Sequence, residues 1–129
     1  MRLPQNVKSM LAHYFPELDL DEIRIKVGIP WYVPMKVYAY TNRNRIYFAR
    51  GKFRPESLMG IVLIAHELAH CAQYKLHGTW RFRIMYARSW LAGFLRHRSL
   101  DEAYMQNSFE VAARVIEDMV YDDLSNRFN

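Results

Sequence analysis

The stretch IVLIAHELAHCAQ, residues 61–73, decides the fold that this sequence predicts. The stretch is largely apolar, but it carries two histidines and a glutamate in the order His66-Glu67-x-x-His70. Residues four apart on a helix lie on the same face, so both imidazoles can point at one ion. Glu67 is rotated by about 100° from His66, which places it beside that ion.

This spacing is typical of zinc sites in which two histidines bind the metal and the glutamate accepts a proton from a bound water. The alternative is that the histidines are only hydrogen-bonded inside a core. Three titratable groups in so apolar a helix need partners, because burying them without partners costs free energy. We therefore expect Zn²⁺ to be bound by His66 and His70, with Glu67 as general base.

A catalytic zinc usually has a third protein ligand and a water. His77 lies two helical turns beyond His70, about 10 Å along the axis, which is too far for the two to share an ion. Glu102, in SLDE, and Glu110, in NSFEVAARVI, could each close a helix capping box. Glu110 is the favoured ligand because it lies early in a helix that would pack against the H-E-x-x-H helix, and Glu102 stays open as the alternative.

The segments around this helix predict short strands followed by more helices. Periodicity and turn residues predict helices over 4–15, 55–77 and 79–98, a strand over 22–28, a loop over 29–34, a hairpin over 37–51, and one or two helices over 99–124, joined near Asn107 if two. This order predicts a single α+β domain over residues 1–129, with a short antiparallel sheet packed on a helical bundle and the H-E-x-x-H helix central.

Composition narrows the class of protein. The chain has 129 residues, of which 51% are hydrophobic and 24% charged, as in a folded globular domain. Cys71 is the only cysteine, so no intrachain disulfide is expected. With neither a membrane-spanning run nor a signal peptide in the sequence, we expect a cytoplasmic protein, with export by a non-classical route left open.

The net charge of +5 is unevenly distributed along the sequence. Residues 23–55 and 81–98 contain basic but no acidic side chains, whereas the region from Asp101 to Asp123 is mainly acidic. The favoured interpretation is that these segments pack side by side and partly neutralise each other, and the alternative is a basic surface for an acidic substrate or a polyanion. Similarly, we expect the helix over 79–98 to pack through Phe82, Met85, Ser89 and Ala92 rather than to bind nucleic acid or an anionic membrane.

Three stretches resemble one known family. RIYFARGKF (residues 45–53), LIAHELAHCAQ (63–73) and AYMQNSFE (103–110) are similar to the small zincin-like metallopeptidase domains of the extracellular contractile injection system core family. The resemblance extends over roughly residues 37 to 115. It implies a minimal gluzincin-like scaffold with Glu110 as the third metal ligand and Tyr104 at the family's characteristic tyrosine.

Two positions depart from the family's pattern. Ser108 stands where a proline is common, and Ala112 stands where many relatives have a second acidic residue. A carboxylate that supports one of the histidines is therefore missing at its usual place. Asp118 or Glu102 is expected to substitute for it.

The function predicted from these residues is hydrolysis of peptide bonds by a zinc-activated water, with a peptide or protein substrate in which acidic residues are favoured. The strand RIYFAR, residues 45–50, is expected to present an edge to an extended substrate. The candidates for stabilising the developing oxyanion are Tyr104, Tyr86 and Arg114. The alternative function is a non-catalytic, zinc-stabilised accessory or effector-associated module. The sequence does not predict an oligomeric state.

Overall fold

The chain folds as an α+β structure, as the sequence predicts. The computed structural model describes residues 1–33 and 36–128. Its strands are β1 (Arg24–Val27), β2 (Ala39–Asn42) and β3 (Arg45–Phe48). Its α-helices are α1 (Gln5–Leu11), α2 (Leu58–His77), α3 (Thr79–His97), α4 (Leu100–Met105) and α5 (Ser108–Leu124). Short 3₁₀ segments cover Ala12–Tyr14, Leu20–Glu22 and Ser125–Phe128.

The three strands form a mixed sheet in the order β1-β3-β2, so the prediction of an antiparallel sheet is wrong. The hairpin is antiparallel and pairs Thr41 with Ile46, whereas β1 pairs parallel to β3 with Ile25 opposite Ile46. The hairpin occupies one side of β3, so β1 joins the other side, where its direction makes the pairing parallel. In this register Ile25 and Ile46 are both fully or almost fully buried.

The sheet order also changes which strand is at the edge. The stretch 45–50 was expected to offer an edge, but β3 lies between the other two strands. The edge strand beside the H-E-x-x-H helix is β2, because Thr41 contacts Glu67. Any extended ligand that adds a strand near this helix would therefore pair with β2.

Helix α2 lies at the centre of the fold. It begins after Ser57, whose Oγ accepts a hydrogen bond from the backbone of Gly60 at 3.1 Å, rather than at Pro55 as predicted. It ends at His77, and Gly78 follows with a φ of 81°, a value that favours glycine. Almost every residue from Gly60 to Cys71 is buried, against the sheet on one side and α5 on the other.

The C-terminal region forms two helices, one of the two arrangements that the sequence allows. Asn107 is completely buried between α4 and α5. Its Oδ1 accepts a hydrogen bond from Phe109 N at 3.0 Å, and its Nδ2 donates to the carbonyl of Tyr86 at 3.1 Å. Asn107 therefore fixes the start of α5 against α3 and with it the position of Glu110.

Helix α3 packs less completely than expected. Of the four residues predicted to pack, Phe82 is buried, Met85 and Ser89 are half-buried and Ala92 is exposed. The basic helix α3 packs mainly against α4, which begins the acidic region, so these two segments lie side by side as expected. Among the described residues, the one ion pair between a lysine or arginine and a carboxylate joins Lys8 to Asp21.

Two further expectations concern the loop and the membrane. Residues 29–33 form neither helix nor strand, as predicted, and Pro34, the last residue of the predicted loop, lies outside the described residues. In the part of the chain that the structure describes, none of the helices combines the length and apolarity needed to cross a bilayer.

Gly60 provides a test of the contact at the start of α2. A Cβ at this position would lie 1.8 Å from the backbone oxygen of Arg54. We expect Gly60→Ala to lower the free energy of unfolding by about 2–3 kcal/mol in urea titrations, because the backbone must shift. Gly93→Ala is the graded control: its Cβ would lie 3.2 Å from Ala103 Cα, so its loss is expected to be clearly smaller. Equal stability of the wild type and Gly60→Ala would contradict this close packing.

Candidate metal centre

Helices α2 and α5 bring two histidines and a glutamate together. Glu110 Oε1 lies 2.9 Å from His66 Nε2 and 3.0 Å from His70 Nε2. All three residues are buried, with exposed fractions of 4–7%. The two imidazoles project from successive turns of one helix, as their spacing predicts, and the carboxylate approaches them from the first turn of α5.

The other nitrogen of each imidazole has its own partner. His66 Nδ1 is hydrogen-bonded to Glu117 Oε1, and His70 Nδ1 lies 2.8 Å from Gln73 Oε1. The Gln73 amide orientation is fixed because its Nε2 donates to the carbonyl of Phe109 at 3.0 Å. Both acceptors are oxygens, so both Nδ1 atoms carry hydrogen and both Nε2 atoms face Glu110. This is the arrangement in which histidines present Nε2 to a metal.

Two tyrosines lie beside the Glu110 carboxylate. Tyr86 donates its hydroxyl to Glu110 Oε2 at 2.8 Å. Burial raises the pKa of Tyr86, and the Glu110 carboxylate raises it further. Tyr104 is half-buried, and its pKa is raised by burial and by the nearby Glu110 and Glu67 carboxylates. Both hydroxyls therefore remain protonated donors at neutral pH.

Glu67 is held by the edge strand. Thr41 Oγ1 lies 3.2 Å from Glu67 Oε1 and 3.3 Å from its backbone oxygen, and both residues are buried. Glu67 Oε2 lies 3.9 Å from His66 Nε2, beside the imidazole pair. Burial raises the pKa of the Glu67 carboxyl, and the nearby His70 and His66 only partly offset this effect. A raised pKa makes a carboxylate a better proton acceptor near neutral pH.

The histidines and Glu110 influence one another's ionisation. Burial lowers the pKa of His66, but hydrogen bonds to Glu110 and Glu117 outweigh burial and raise the pKa to about 10. Burial opposes the charged form of His70 too, and its hydrogen bond to Glu110 again produces a net raised pKa. Burial favours protonated Glu110, yet its hydrogen bonds to the two imidazoles hold the pKa of its carboxyl well below the usual range.

These residues fit a metal ion. A tetrahedral zinc with bonds of about 2.0–2.1 Å holds neighbouring ligand atoms roughly 3.3 Å apart, close to the separations of Glu110 Oε1 from the two Nε2 atoms. One ligand atom each from His66, Glu67 and His70 lies within 4.8 Å of the others. Two imidazole nitrogens and a carboxylate oxygen are donors that zinc favours. The geometry therefore accommodates a metal, and the choice of zinc rests on the donor types.

Two cavities share Glu67 and Tyr104 among their lining residues, together with Val37 and Ala39. The first, of about 330 Å³, is also lined by His70 and Glu110. The second, of about 280 Å³, is lined by His66 and Glu117. The candidate centre therefore borders two cavities, and Glu67 lines both of them.

The remaining predicted candidates lie away from the imidazole pair. Glu102 is exposed at the first turn of α4, where Ser99 caps the helix. Asp118 is exposed on α5. The expectation that Asp118 or Glu102 supports a histidine is therefore not met, and Glu117 has that role. Arg114 binds the backbone oxygen of Met105 instead of pairing with Glu110, and it lines neither cavity.

Three residues of the centre are not among the predicted site residues. Glu117 follows Glu110 by two helical turns on the same face of α5, a spacing visible in the sequence. Gln73 follows His70 by three residues, so its place on the same face of α2 was also visible. Thr41 had no such signal, because its contact with Glu67 depends on how β2 packs against α2.

The architecture and the buried histidine pair define an α+β domain with a candidate metal centre on its central helix. The model of the eCIS core domain matches residues 2–78, so the chain belongs to the eCIS core domain family. The match includes both histidines and Glu67, whereas Glu110 and Tyr104 lie beyond its end. No curated protein and no solved structure matches the chain.

Glu117 is the basis of a test of how the centre is supported. Glu117→Gln removes the charge that holds His66 Nδ1–H, so we expect zinc affinity to fall about 10- to 100-fold in competition with a chromophoric chelator. Asp118→Asn is the matched control, because it removes the same charge from the next, exposed residue. A loss of equal size in both variants would mean that net charge, rather than the contact with His66, governs affinity.

Proposed function

We propose that this protein is a zinc-dependent metallopeptidase with a minimal zincin-like, gluzincin-type site. The observation that carries the proposal is the convergence of His66 Nε2, His70 Nε2 and Glu110 Oε1, with Glu67 immediately beside them. Two histidines and one carboxylate leave a tetrahedral metal one open position, which is the pattern of catalytic rather than structural zinc sites. The match to the eCIS core domain family supports the proposal in that it includes helix α2, which carries His66 and His70.

Each side chain has a distinct role in this proposal. His66, His70 and Glu110 hold the metal, which when bound supplies a Lewis acid that polarises a carbonyl and acidifies water. Glu67 accepts the proton of the attacking water and delivers it to the leaving amine. Thr41 holds the Glu67 carboxylate in place by its hydrogen bond to Oε1.

Tyr104 is the best placed of the three candidates for stabilising the developing oxyanion. Tyr86 already donates its hydroxyl to Glu110, and Arg114 is turned towards Met105. Tyr104 lines both cavities and remains protonated beside Glu110, so its hydroxyl can donate to a carbonyl oxygen bound near the centre. Tyr86 acts in this scheme as a positioning residue for the metal ligand.

Replacing Glu67 tests the proposed chemistry. Glu67→Gln keeps an oxygen for Thr41 but cannot accept a proton, so we expect cleavage of a peptide library by the zinc-loaded protein to fall at least about 100-fold. Zinc affinity is expected to remain within a few-fold of the wild type. Glu102→Gln is the control, since it removes an exposed carboxylate far from the centre, and its cleavage rate should be unchanged. Undiminished cleavage by Glu67→Gln would exclude Glu67 from the mechanism.

A second candidate function is a zinc-stabilised accessory or effector-associated module without catalysis. One observation favours it: a carboxylate oxygen of Glu67 lies close enough to the imidazole pair to serve as a metal ligand itself. With Glu110 this would make four protein ligands, a closed and purely structural site. The two functions differ in Glu67→Gln, because only the structural site predicts a large loss of zinc affinity, together with a lower melting temperature.

A further inference from the structure

The first cavity has an aromatic wall that the proposed chemistry does not use. Apart from residues of the candidate centre, its side chains are mainly apolar or aromatic, and the rings contributed by α2 and α3 are Tyr74, Phe82 and Trp90. Tyr74 and Phe82 pack with ring centroids 4.3 Å apart, so this wall is preformed. A concave site of this size and character suits one large apolar side chain.

The same cavity contains one arginine, Arg83, besides the carboxylates of Glu67 and Glu110. Arg83 lines it and donates from Nη2 to Asn42 Oδ1 at 2.6 Å, which ties α3 to the edge strand β2. Its guanidinium also lies 5.3 Å from the Trp80 ring centroid and 5.9 Å from that of Tyr74. Asn42 is neutral, and Arg83 takes part in none of the ion pairs among the described residues.

Arg83 is therefore held in a fixed position without a carboxylate at ion-pairing distance, because the two carboxylates of the same cavity, Glu67 and Glu110, contact other partners. A guanidinium has five N–H donors, and the hydrogen bond to Asn42 uses one of them. Carboxylates are the anions that match its planar array of donors. An acidic group on a ligand would be the first carboxylate in direct contact with the Arg83 guanidinium.

The second cavity differs in the aromatic rings that line it. It contains no tryptophan or phenylalanine, and it carries Lys36 and Glu117, charges of opposite sign. A ligand in contact with Glu67 would therefore meet tryptophan and phenylalanine rings in the first cavity, whereas the rings of the second cavity are those of Tyr38 and Tyr104 and the ring of His66. This difference assigns the recognition of an aromatic side chain to the first cavity.

We propose that the first cavity recognises an aromatic residue of a peptide that carries a carboxylate close to its ring, with Arg83 as the partner of that carboxylate. The inference rests on the proposed function in taking a peptide as the ligand. The carboxylate is either the C-terminus of the aromatic residue or the side chain of an adjacent acidic residue. In both forms the ring packs against Trp90 and Phe82 while the charge is met by Arg83.

Binding to small peptide analogues tests this pocket without requiring turnover. The zinc-loaded full chain carrying Glu67→Gln is titrated by calorimetry with N-acetyl-phenylalanine, its amide and N-acetyl-alanine. We expect the phenylalanine acid to bind at least tenfold more tightly than the alanine acid and three- to tenfold more tightly than its own amide. N-acetyl-Phe-Asp-amide distinguishes the two sources: binding as tight as that of the acid indicates an adjacent acidic side chain, and weaker binding indicates a C-terminal aromatic residue.

Three variants locate the carboxylate partner. Arg83→Met and Asn42→Asp, the second an almost isosteric change that neutralises Arg83 in place, should each abolish the preference for acid over amide. Arg81→Met is the matched control: Arg81 is exposed and does not line the cavity, so both preferences should survive. A preference for the acid that persists in both Arg83→Met and Asn42→Asp would overturn the proposal, because the carboxylate would then be bound elsewhere.

The outcome separates this inference from the proposed peptidase. Selective binding by a chain whose wild-type form cleaves no peptide would uphold the pocket and refute the catalysis. Cleavage that depends on Glu67, with equal binding of N-acetyl-phenylalanine and N-acetyl-alanine, would uphold the catalysis and refute the pocket.

Discussion

Buried polar groups on an apolar helix must find partners, and this constraint organises the whole structure. Helix α2 carries His66, Glu67 and His70 into the interior, and the chain supplies partners from both sides. Glu110 on α5 accepts from both imidazoles, and Thr41 on β2 meets Glu67. No buried side-chain nitrogen or oxygen among the described residues lacks a hydrogen-bond partner. The docking of α5 and of the sheet onto α2 is thus tied to the same groups that form the candidate centre.

The chemistry of the centre depends on a second layer of contacts, each from a different place in the chain. Glu117 orients one imidazole, Gln73 the other, and Tyr86 the carboxylate between them. Gln73 also binds the backbone of Phe109, so one amide joins the ring orientation of His70 to the start of α5. Such contacts hold donor atoms in place at little entropic cost when a ligand arrives. The proposed site is accordingly rigid because of hydrogen bonds and packing together.

The sequence predicts those parts of the structure that depend on local patterns. The central helix, the hairpin, the stop at Gly78 and the α+β class follow from periodicity, turn residues and the order of elements. The pairing of β1 with β3 was missed because strand partners far apart in sequence leave no local trace. The same limit explains why the contact of Thr41 with Glu67 and the incomplete packing of α3 were not predicted. Glu117 could have been predicted from its spacing to Glu110, whereas the residue that was predicted, the neighbouring Asp118, is exposed.

The single residue between α2 and α3 has a consequence for how this scaffold can vary. Gly78, with φ 81° and ψ 157°, is the whole connection between a helix that carries the histidines and one that carries Phe82 and Arg83. Adding or deleting one residue there would change the phase of α3 by about 100°. The aromatic and cationic side chains would then leave the cavity together. The length of this junction is therefore constrained more strictly than the identity of the side chains that line the pocket. The pocket can vary by substitution of those side chains, but not by insertion or deletion at the junction.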